Sequence, residues 1–243
     1  MLVTGNNPSN AYRLSIRVFT GGFSLSVYQG GDTSPLEQES VSGSPGELAA
    51  QLRAALARPH YSNYSFQQVE IISCAPSTRI PLERFQREEI TATYRLTFPG
   101  KDYNEKDIRY EILKELEVVD IFPLSQEIVD IVSSQYPAVQ VHSQETLCLE
   151  SDRQQSHSPS NKAYCFFAHI LTDQLFVSTF HRGKLQFACS YPVKIDSDRL
   201  YFILYAWKTL GMQNAQTQCI LSRASAKLIE ELGKYILYIH TCA

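Results

Sequence analysis

The chain has 243 residues, of which 44% are hydrophobic and 19% charged, as expected of a folded protein with one large domain or two small ones. Its formal net charge of -3 gives no electrostatic reason to expect a nucleic acid or an anionic membrane as partner. No apolar run approaches the roughly 18 to 20 residues of a membrane helix, and residues 1–10 lack the basic and apolar segments of a signal peptide. We therefore expect no membrane span and a cytoplasmic location.

Two segments match in pattern at a constant offset of 152 residues, beginning at Tyr12 and Tyr164. In each segment, apolar and polar residues alternate as in a half-buried strand, a short polar turn follows, and a second strand returns. The turns are Thr20-Gly21-Gly22 and Thr172-Asp173-Gln174. The pattern predicts a β-hairpin at the start of each copy.

Each copy then continues with a third strand, a helix, a short apolar strand and a further helix. The first copy has its third strand at 36–41, a helix that opens with the capping box Ser44-Pro45-Gly46-Glu47, and a strand at 69–74. The second copy has the corresponding strand at 185–193, a helix that begins at Asp196 or Ser197, and a strand at 219–221.

The segment between the copies has less regular patterns. Alternation predicts strands at 90–98, 117–122 and 139–142, and helical spacing predicts helices at 126–136 and 144–155. The acidic run 105–120 contains interspersed basic residues, as a solvated helix face does, and the polar stretch 154–162 predicts a loop. We place the boundary between the halves near residue 143, which divides the chain into 1–143 and 144–243.

A β-β-β-α-β-α unit that occurs twice is an α/β arrangement. It resembles the duplicated, ribonuclease-H-like fold of the actin-like ATPases, which include actin, Hsp70 and the sugar kinases, over most of the chain. More closely, residues 73–85, 118–122 and 136–144 resemble an uncharacterised bacterial family known from Bacteroidetes, domain of unknown function 3822. That family has an actin-like fold and no assigned activity, so the resemblance predicts a fold rather than a function.

The resemblance also implies where an active member keeps its ATPase residues. The first hairpin turn of active members carries an aspartate that holds magnesium, whereas Thr20, Gly21 and Gly22 bring no carboxylate. The second turn has Asp173 without the glycines of active members, and Arg223 with the serine before it replaces their glycine pair. Both turns also have a purely structural explanation, because Gly-Gly closes tight hairpins and aspartate is a common turn former, and Arg223 could equally meet some other anion. With three signatures degraded together, we expect no ATP hydrolysis.

Other chemistry finds no support in the sequence. Phosphate-loop and dinucleotide motifs are absent, and the six cysteines are scattered without close pairs, as small buried hydrophobic residues are. The six histidines never fall at a spacing that places two metal ligands on one helix face, and we interpret His169 and His181 as surface residues. We therefore expect no catalytic residue, no metal and no cofactor.

Two functions from different classes follow. The first is a non-catalytic interaction or scaffold module that binds a protein partner. The alternative is a divergent nucleotide or phospho-ligand binding protein that uses Thr20, Gly21, Gly22, Asp173 and Arg223 around the cleft between the halves, which requires these residues to converge. A third, an enzyme with an unrelated site on the same scaffold, has no residue pattern behind it.

Overall fold

The structure is a computed structural model that describes residues 11–100, 103–157 and 163–242. Residues 1–10, on which the prediction of no signal peptide depends, lie outside this range, as do residues 158–162 of the predicted loop. The described chain forms two compact units: the first has the residues up to 77, 85–111 and 120–144, and the second has 78–84, 112–119 and those from 145 onward. The division into halves at residue 143 concerns the sequence repeat and stays a prediction.

Helices and strands occur throughout the described residues. In chain order they are β1 (Tyr12–Phe19), β2 (Gly22–Gln29), β3 (Glu37–Ser42), α1 (Pro45–Leu56), α2 (Pro59–Ser62), β4 (Phe66–Ser73), β5 (Thr78–Pro81), α3 (Ile90–Thr97), β6 (Ile108–Leu113), β7 (Val118–Pro123), α4 (Gln126–Gln135), β8 (Gln140–Ser143), α5 (Gln144–Ser156), β9 (Tyr164–Ile170), β10 (Gln174–His181), β11 (Lys184–Pro192), α6 (Asp196–Thr209), β12 (Thr217–Ser222), α7 (Ala226–Gly233) and β13 (Ile239–Cys242). Short 3-10 turns lie at Leu82–Arg84, Arg87–Glu89, Glu105–Asp107 and Lys114–Leu116.

Each unit contains one five-stranded sheet, and the two sheets have the same plan. Their strand orders are β3-β2-β1-β4-β8 and β11-β10-β9-β12-β13, and a separate three-stranded sheet has the order β5-β7-β6. In both five-stranded sheets the first three strands are antiparallel neighbours and the last two join them in parallel. The predicted duplication of a β-β-β-α-β-α unit is confirmed, as are the strand at 117–122 and the helices at 126–136 and 144–155.

Apolar side chains from the sheets and helices form the core of each unit. In the first unit, α1 and α4 cover one face of the sheet, with Leu52 and Val132 fully buried against strand residues such as Ile16. In the second unit, α6 and α7 cover one sheet face, and Leu149 of α5 belongs to the apolar cluster on the other face together with Phe176. The sheet of the second unit is therefore buried on both faces.

The prediction of a strand at residues 90–98 was wrong, because this segment is the helix α3. Alternation placed Leu96 on the same side as Tyr94, yet Leu96 is 83% exposed and Tyr94 is fully buried. The helical spacing of four instead brings Tyr94 against Phe98, with ring centroids 4.8 Å apart, and the Tyr94 hydroxyl donates to the carbonyl oxygen of Pro76 at 3.0 Å. These contacts of Tyr94 require a helix rather than a strand at this position.

The interpretation of residues 105–120 as a solvated helix face was also wrong. The segment forms a 3-10 turn, β6, a second 3-10 turn and the first half of β7, and Glu117 has a left-handed backbone with φ of 57° where the chain turns. Ile108 and Leu113, at the two ends of β6, are buried, and Asp120 in β7 is fully buried. The apolar residues between the charges therefore belong to strands, apart from Leu116, which lies in a 3-10 turn.

None of the helices within the described ranges has the length and apolar character that crossing a membrane requires.

Candidate functional site

The first hairpin turn, which holds Thr20, Gly21 and Gly22, is closely packed. Gly21 has a left-handed backbone with φ of 78°, which glycine adopts without steric cost. Gly22 is buried, and a Cβ at this position would lie 2.5 Å from both the Val41 carbonyl oxygen and the ring of Phe19. Both glycines are thus required by the turn itself, and Thr20 beside them is exposed.

A helix begins close to this turn and is already capped. The backbone nitrogen of Gly43 donates to the carbonyl oxygen of Gly21 at 3.0 Å, two residues before α1 begins. The predicted capping box is confirmed, since the carboxylate of Glu47 accepts hydrogen bonds from the backbone nitrogen and the hydroxyl of Ser44, which lower the pKa of Glu47. A carboxylate of the chain itself therefore stands at the helix terminus that an anion would otherwise favour.

The second hairpin turn holds Asp173, which is exposed. Its carbonyl oxygen accepts a hydrogen bond from the backbone nitrogen of Val193 at 3.2 Å. The next residue, Gln174, is only 5% exposed, and both polar atoms of its side chain lack a hydrogen-bond partner among the described residues. Because buried amides are nearly always paired, Gln174 is the one feature of this turn that a turn alone does not explain.

Arg223 follows β12 and has a left-handed backbone with φ of 59°. This backbone is one that glycine adopts freely and a side chain makes costly, yet the long Arg223 side chain is present and exposed. Because β12 and β9 are parallel and Ser222 pairs with His169, Arg223 follows the carboxyl end of β12, beside the carboxyl end of β9. Arg223 therefore lies at the same end of the second sheet as the turn that holds Asp173.

The structure thus groups the predicted ligand residues in two sets. Thr20, Gly21 and Gly22 form one turn in the first unit, and Asp173 and Arg223 lie at the same end of the sheet in the second. The convergence of the two sets into one site stays a prediction. Among the described residues, no group of three or more His, Cys, Asp or Glu residues is placed to hold a metal ion.

Sequence reasoning missed a buried polar cluster in the first unit. The fully buried carboxylate of Asp120 accepts hydrogen bonds from Ser77 at 2.7 Å and from Ser143 at 2.5 Å. Ser77 and Ser143 lie 43 and 23 residues from Asp120 along the chain, so no local spacing predicts the cluster. A buried carboxylate needs such partners because its desolvation is costly.

A second missed cluster centres on Asp152 in the second unit. The fully buried carboxylate of Asp152 contacts His169 Nε2 at 2.8 and 3.0 Å and accepts a hydrogen bond from the Ser178 hydroxyl at 2.6 Å. Burial alone would lower the pKa of His169, but the hydrogen bonds to Asp152 and the negative charge of that carboxylate raise it to about 10. His169 is therefore a buried imidazolium that forms an ion pair.

The interpretation of His169 as a surface residue was wrong, since it is 8% exposed. The other residues on its side of β9 give the reason, because Cys165 and Phe167 share that phase and are buried. Both phases of β9 are apolar, which is the pattern of a strand that is covered on both faces. That signal was available in the sequence.

A third buried pair joins Arg79 to Glu145 at 2.6 Å, also within the second unit. The side chain of Glu145 is fully buried and that of Arg79 is 9% exposed. The Arg79 guanidinium lies 5.0 Å from the centroid of the Phe176 ring. This ion pair lies in the interior of the second unit, and the resemblance to the actin-like ATPases did not predict it.

Proteins of known structure that are similar to this chain identify its fold. A solved protein from Bacteroides thetaiotaomicron, described as having an actin-like ATPase fold and unknown function, is 29% identical to this chain, with a TM-score of 0.79 over 96% of this chain and 91% of that one. A chain of the PilM–PilN type IV pilus biogenesis complex is 9% identical, with a TM-score of 0.51 over 97% and 89%. The protein thus has the actin-like ATPase fold.

The particular family follows from the sequence. The family model described as Protein of unknown function (DUF3822) matches residues 5–239, and the chain belongs to this family. No curated protein matches the chain. The resemblance to domain of unknown function 3822 is thereby confirmed.

Proposed function

We propose that this protein is a cytoplasmic interaction module that uses the actin-like fold to bind a partner protein and does not hydrolyse ATP. The observation that carries the proposal is the first hairpin turn. Its glycines serve the turn itself, a Cβ at Gly22 would meet backbone at 2.5 Å, and the neighbouring helix terminus is occupied by the Glu47 carboxylate. An ATPase of this fold needs a carboxylate for magnesium and open amides for phosphate at this point.

The loop around Arg223 supports the same conclusion. Its left-handed backbone is the shape that a glycine would give, but the position carries a long cationic side chain. A nucleotide that packs against backbone needs the small residue, so the arginine would crowd it. The loop fits a surface that meets another macromolecule better than one that encloses a nucleotide.

Exposed aromatic residues on α6 offer a surface for such a partner. Tyr201 is 61% and Tyr205 is 49% exposed, and their rings stack with centroids 6.0 Å apart. Ile195, just before the helix, is 59% exposed. Tyrosine is enriched at protein interfaces because it combines a large apolar surface with a polar tip, so this row is the predicted contact surface. The solved PilM–PilN complex gives a precedent for the fold alone.

Thermal unfolding with ATP, ADP and GTP, each with and without magnesium, tests the loss of nucleotide binding. We expect no change in Tm, whereas a ligand at 100 times its Kd would stabilise the protein by about 2.7 kcal/mol. A magnesium-dependent shift with ATP would contradict the proposal.

Affinity purification from cells that make the protein tests the partner. The double variant Tyr201→Lys with Tyr205→Lys should lose the proteins that wild type retains. The matched control is Tyr235→Lys, which alters a tyrosine that is 59% exposed outside α6. Equal recovery by wild type and the double variant would exclude α6 as the contact surface.

The buried, unpartnered amide of Gln174 favours a second candidate, a phospho-ligand or nucleotide binding protein. Both amide atoms of Gln174 are closed to solvent, so a ligand at the sheet end that carries Asp173 and Arg223 would satisfy them once the Gln174 side chain rotates outward. If a nucleotide shifts Tm, this candidate expects Arg223→Ala and Asp173→Asn to abolish the shift. Arg182→Ala, at another left-handed arginine of the same sheet, should retain it.

A further inference from the structure

The hairpins β1–β2 and β9–β10 have the same strand pairing, residue for residue. Val18 pairs with Phe23 in the first sheet, and Ile170 pairs with Leu175 in the second, at the same offset of 152 residues. A side chain of the first sheet can therefore be compared directly with the one at the same place in the second. The two sheets differ on one face, which is the face opposite α1 and α4 in the first unit and opposite α6 and α7 in the second.

In the second sheet, α5 covers this face. Leu149 of α5 packs in an apolar cluster with Phe176 of β10. Three residues later on the same side of the helix, the Asp152 carboxylate contacts His169 Nε2 at 2.8 Å and accepts a hydrogen bond from the Ser178 hydroxyl at 2.6 Å. One apolar side chain and one carboxylate thus attach the helix to the strands.

In the first sheet, polar residues occupy the places of these contacts. Arg17, Ser24 and Ser26 stand where the second sheet has His169, Phe176 and Ser178. None of the apolar clusters of the described residues contains a side chain from this side of β1 or β2. On the neighbouring strand β3, Gln38 and Ser40 lie on the same face and are exposed. The described part of the chain therefore provides no counterpart of the apolar packing of α5 here.

The charges of this face leave one cation without a partner. The carboxylate of Glu70, which is 7% exposed as a residue, is paired with Arg13 at 3.4 Å. Arg17 is half-buried, and its side chain has no ion pair or hydrogen bond within the described ranges. The Ser26 hydroxyl likewise has no hydrogen-bond partner there, and unlike that of Ser15 it is not closed to solvent. A half-buried guanidinium and an open hydroxyl are together complementary to a carboxylate.

We propose that this face of the first sheet, with Arg17, Ser24 and Ser26, binds an α-helix of a partner protein that presents an aspartate or glutamate to Arg17 and Ser26. The helix lies on the strands as α5 lies on the second sheet. A polar residue three positions before its carboxylate faces Ser24, because an apolar one would leave the hydroxyl groups of this face without partners. The face belongs to a different unit from the tyrosine row on α6, so the inference goes beyond the proposed function and does not depend on that row.

Site-specific photo-crosslinking of the full chain identifies the helix. Benzoylphenylalanine replaces Ser40, which pairs with Ser24 on this face, and after irradiation of cells that make the protein the captured peptide is sequenced. The matched control carries the same group at Gln186, an exposed residue on the equivalent edge strand of the second sheet. We expect position 40 alone to capture one helical segment that contains Asp or Glu. The double variant Tyr201→Lys with Tyr205→Lys should still capture it, which separates this inference from the α6 row.

A synthetic peptide of the captured segment then tests the charges by fluorescence anisotropy with the purified chain. Arg17→Glu should weaken binding about tenfold or more, because repulsion replaces attraction. The control Arg53→Glu makes the same charge change at an exposed position on α1, which covers the opposite face of the sheet, and should leave Kd unchanged. Replacing the peptide carboxylate with lysine should weaken binding to wild type and restore binding to Arg17→Glu, which a misfolded variant would not show.

The proposal is overturned if position 40 captures no protein, or only what position 186 also captures. It is overturned equally if the captured segment is not helical or lacks a carboxylate. With the peptide in hand, wild-type affinity in Arg17→Glu, or a charge exchange that does not restore binding, would show that Arg17 does not hold a partner helix.

Discussion

Replacing His169 with glutamine should destabilise the protein strongly and remove part of its pH dependence. The side chain of Asp152 is fully buried and relies on His169 for a compensating positive charge. Glutamine keeps a hydrogen-bond donor but leaves the carboxylate without a cation. Removing one partner of a buried ion pair costs about 3 to 5 kcal/mol.

The pH dependence follows from the pKa of His169, which folding raises from 6.5 to about 10. The folded protein therefore binds this proton more tightly than the unfolded chain does. Its contribution to the free energy of unfolding, on the order of 4 to 5 kcal/mol, is fully present below pH 6.5 and is lost as the pH rises through about 10. Between pH 7 and pH 9 the loss is about 2.5 kcal/mol.

Urea unfolding at several pH values between 6 and 9 measures both effects. Trp207, the single tryptophan of the chain, is buried in the same unit and reports unfolding by fluorescence. Wild type and the control His181→Gln should lose stability as the pH rises, and His169→Gln should start lower and change less. A wild-type free energy that stays constant from pH 7 to 9, or an equal slope in His169→Gln, would refute this account of the ion pair.

Three further predictions concern the backbone. Gly22→Ala should lower the free energy of unfolding by about 1 to 3 kcal/mol, because its Cβ would meet backbone at 2.5 Å. The control Gly46→Ala, with open space around the new Cβ, should not destabilise the protein. Equal effects of the two substitutions in urea unfolding would contradict the packing of the turn. Arg223→Gly should raise Tm by relieving a left-handed backbone, worth about 1 kcal/mol, and a lower Tm would show that the arginine side chain stabilises the fold. Ser225→Ala removes the N-cap of α7 and should cost about 1 kcal/mol in urea unfolding, and no change would contradict the capping role.

The repeat could be predicted from the sequence because its signals are local. The alternation around Tyr12 and Tyr164, the tight turns and the capping box at Ser44 each depend on neighbouring residues, and the structure has the corresponding elements. The strand predicted at 90–98 was wrong because side-chain packing decides this element. Tyr94 selects a helix because it packs against Phe98 and reaches Pro76, and alternation alone gives no sign of this.

The candidate site was predictable only in part. The hairpin turns lie where the alternation and the turn residues predicted them. The buried cluster around Asp120 was not predictable, because its partners Ser77 and Ser143 come from remote parts of the chain. Gln174 was overlooked because a polar residue next to a turn usually lies in solvent, and only its burial distinguishes it.

The interleaving of the two units along the chain has a consequence for biosynthesis. Leu113 and Leu116, which belong to an apolar cluster of the second unit, leave the ribosome before the strands β9 and β10 that complete this cluster. During synthesis these leucines cannot pack into their native cluster until at least the strand that ends at His181 has been made. A fragment that begins at residue 144 would lack both leucines, so the second unit cannot assemble its full interior from contiguous carboxyl-terminal sequence.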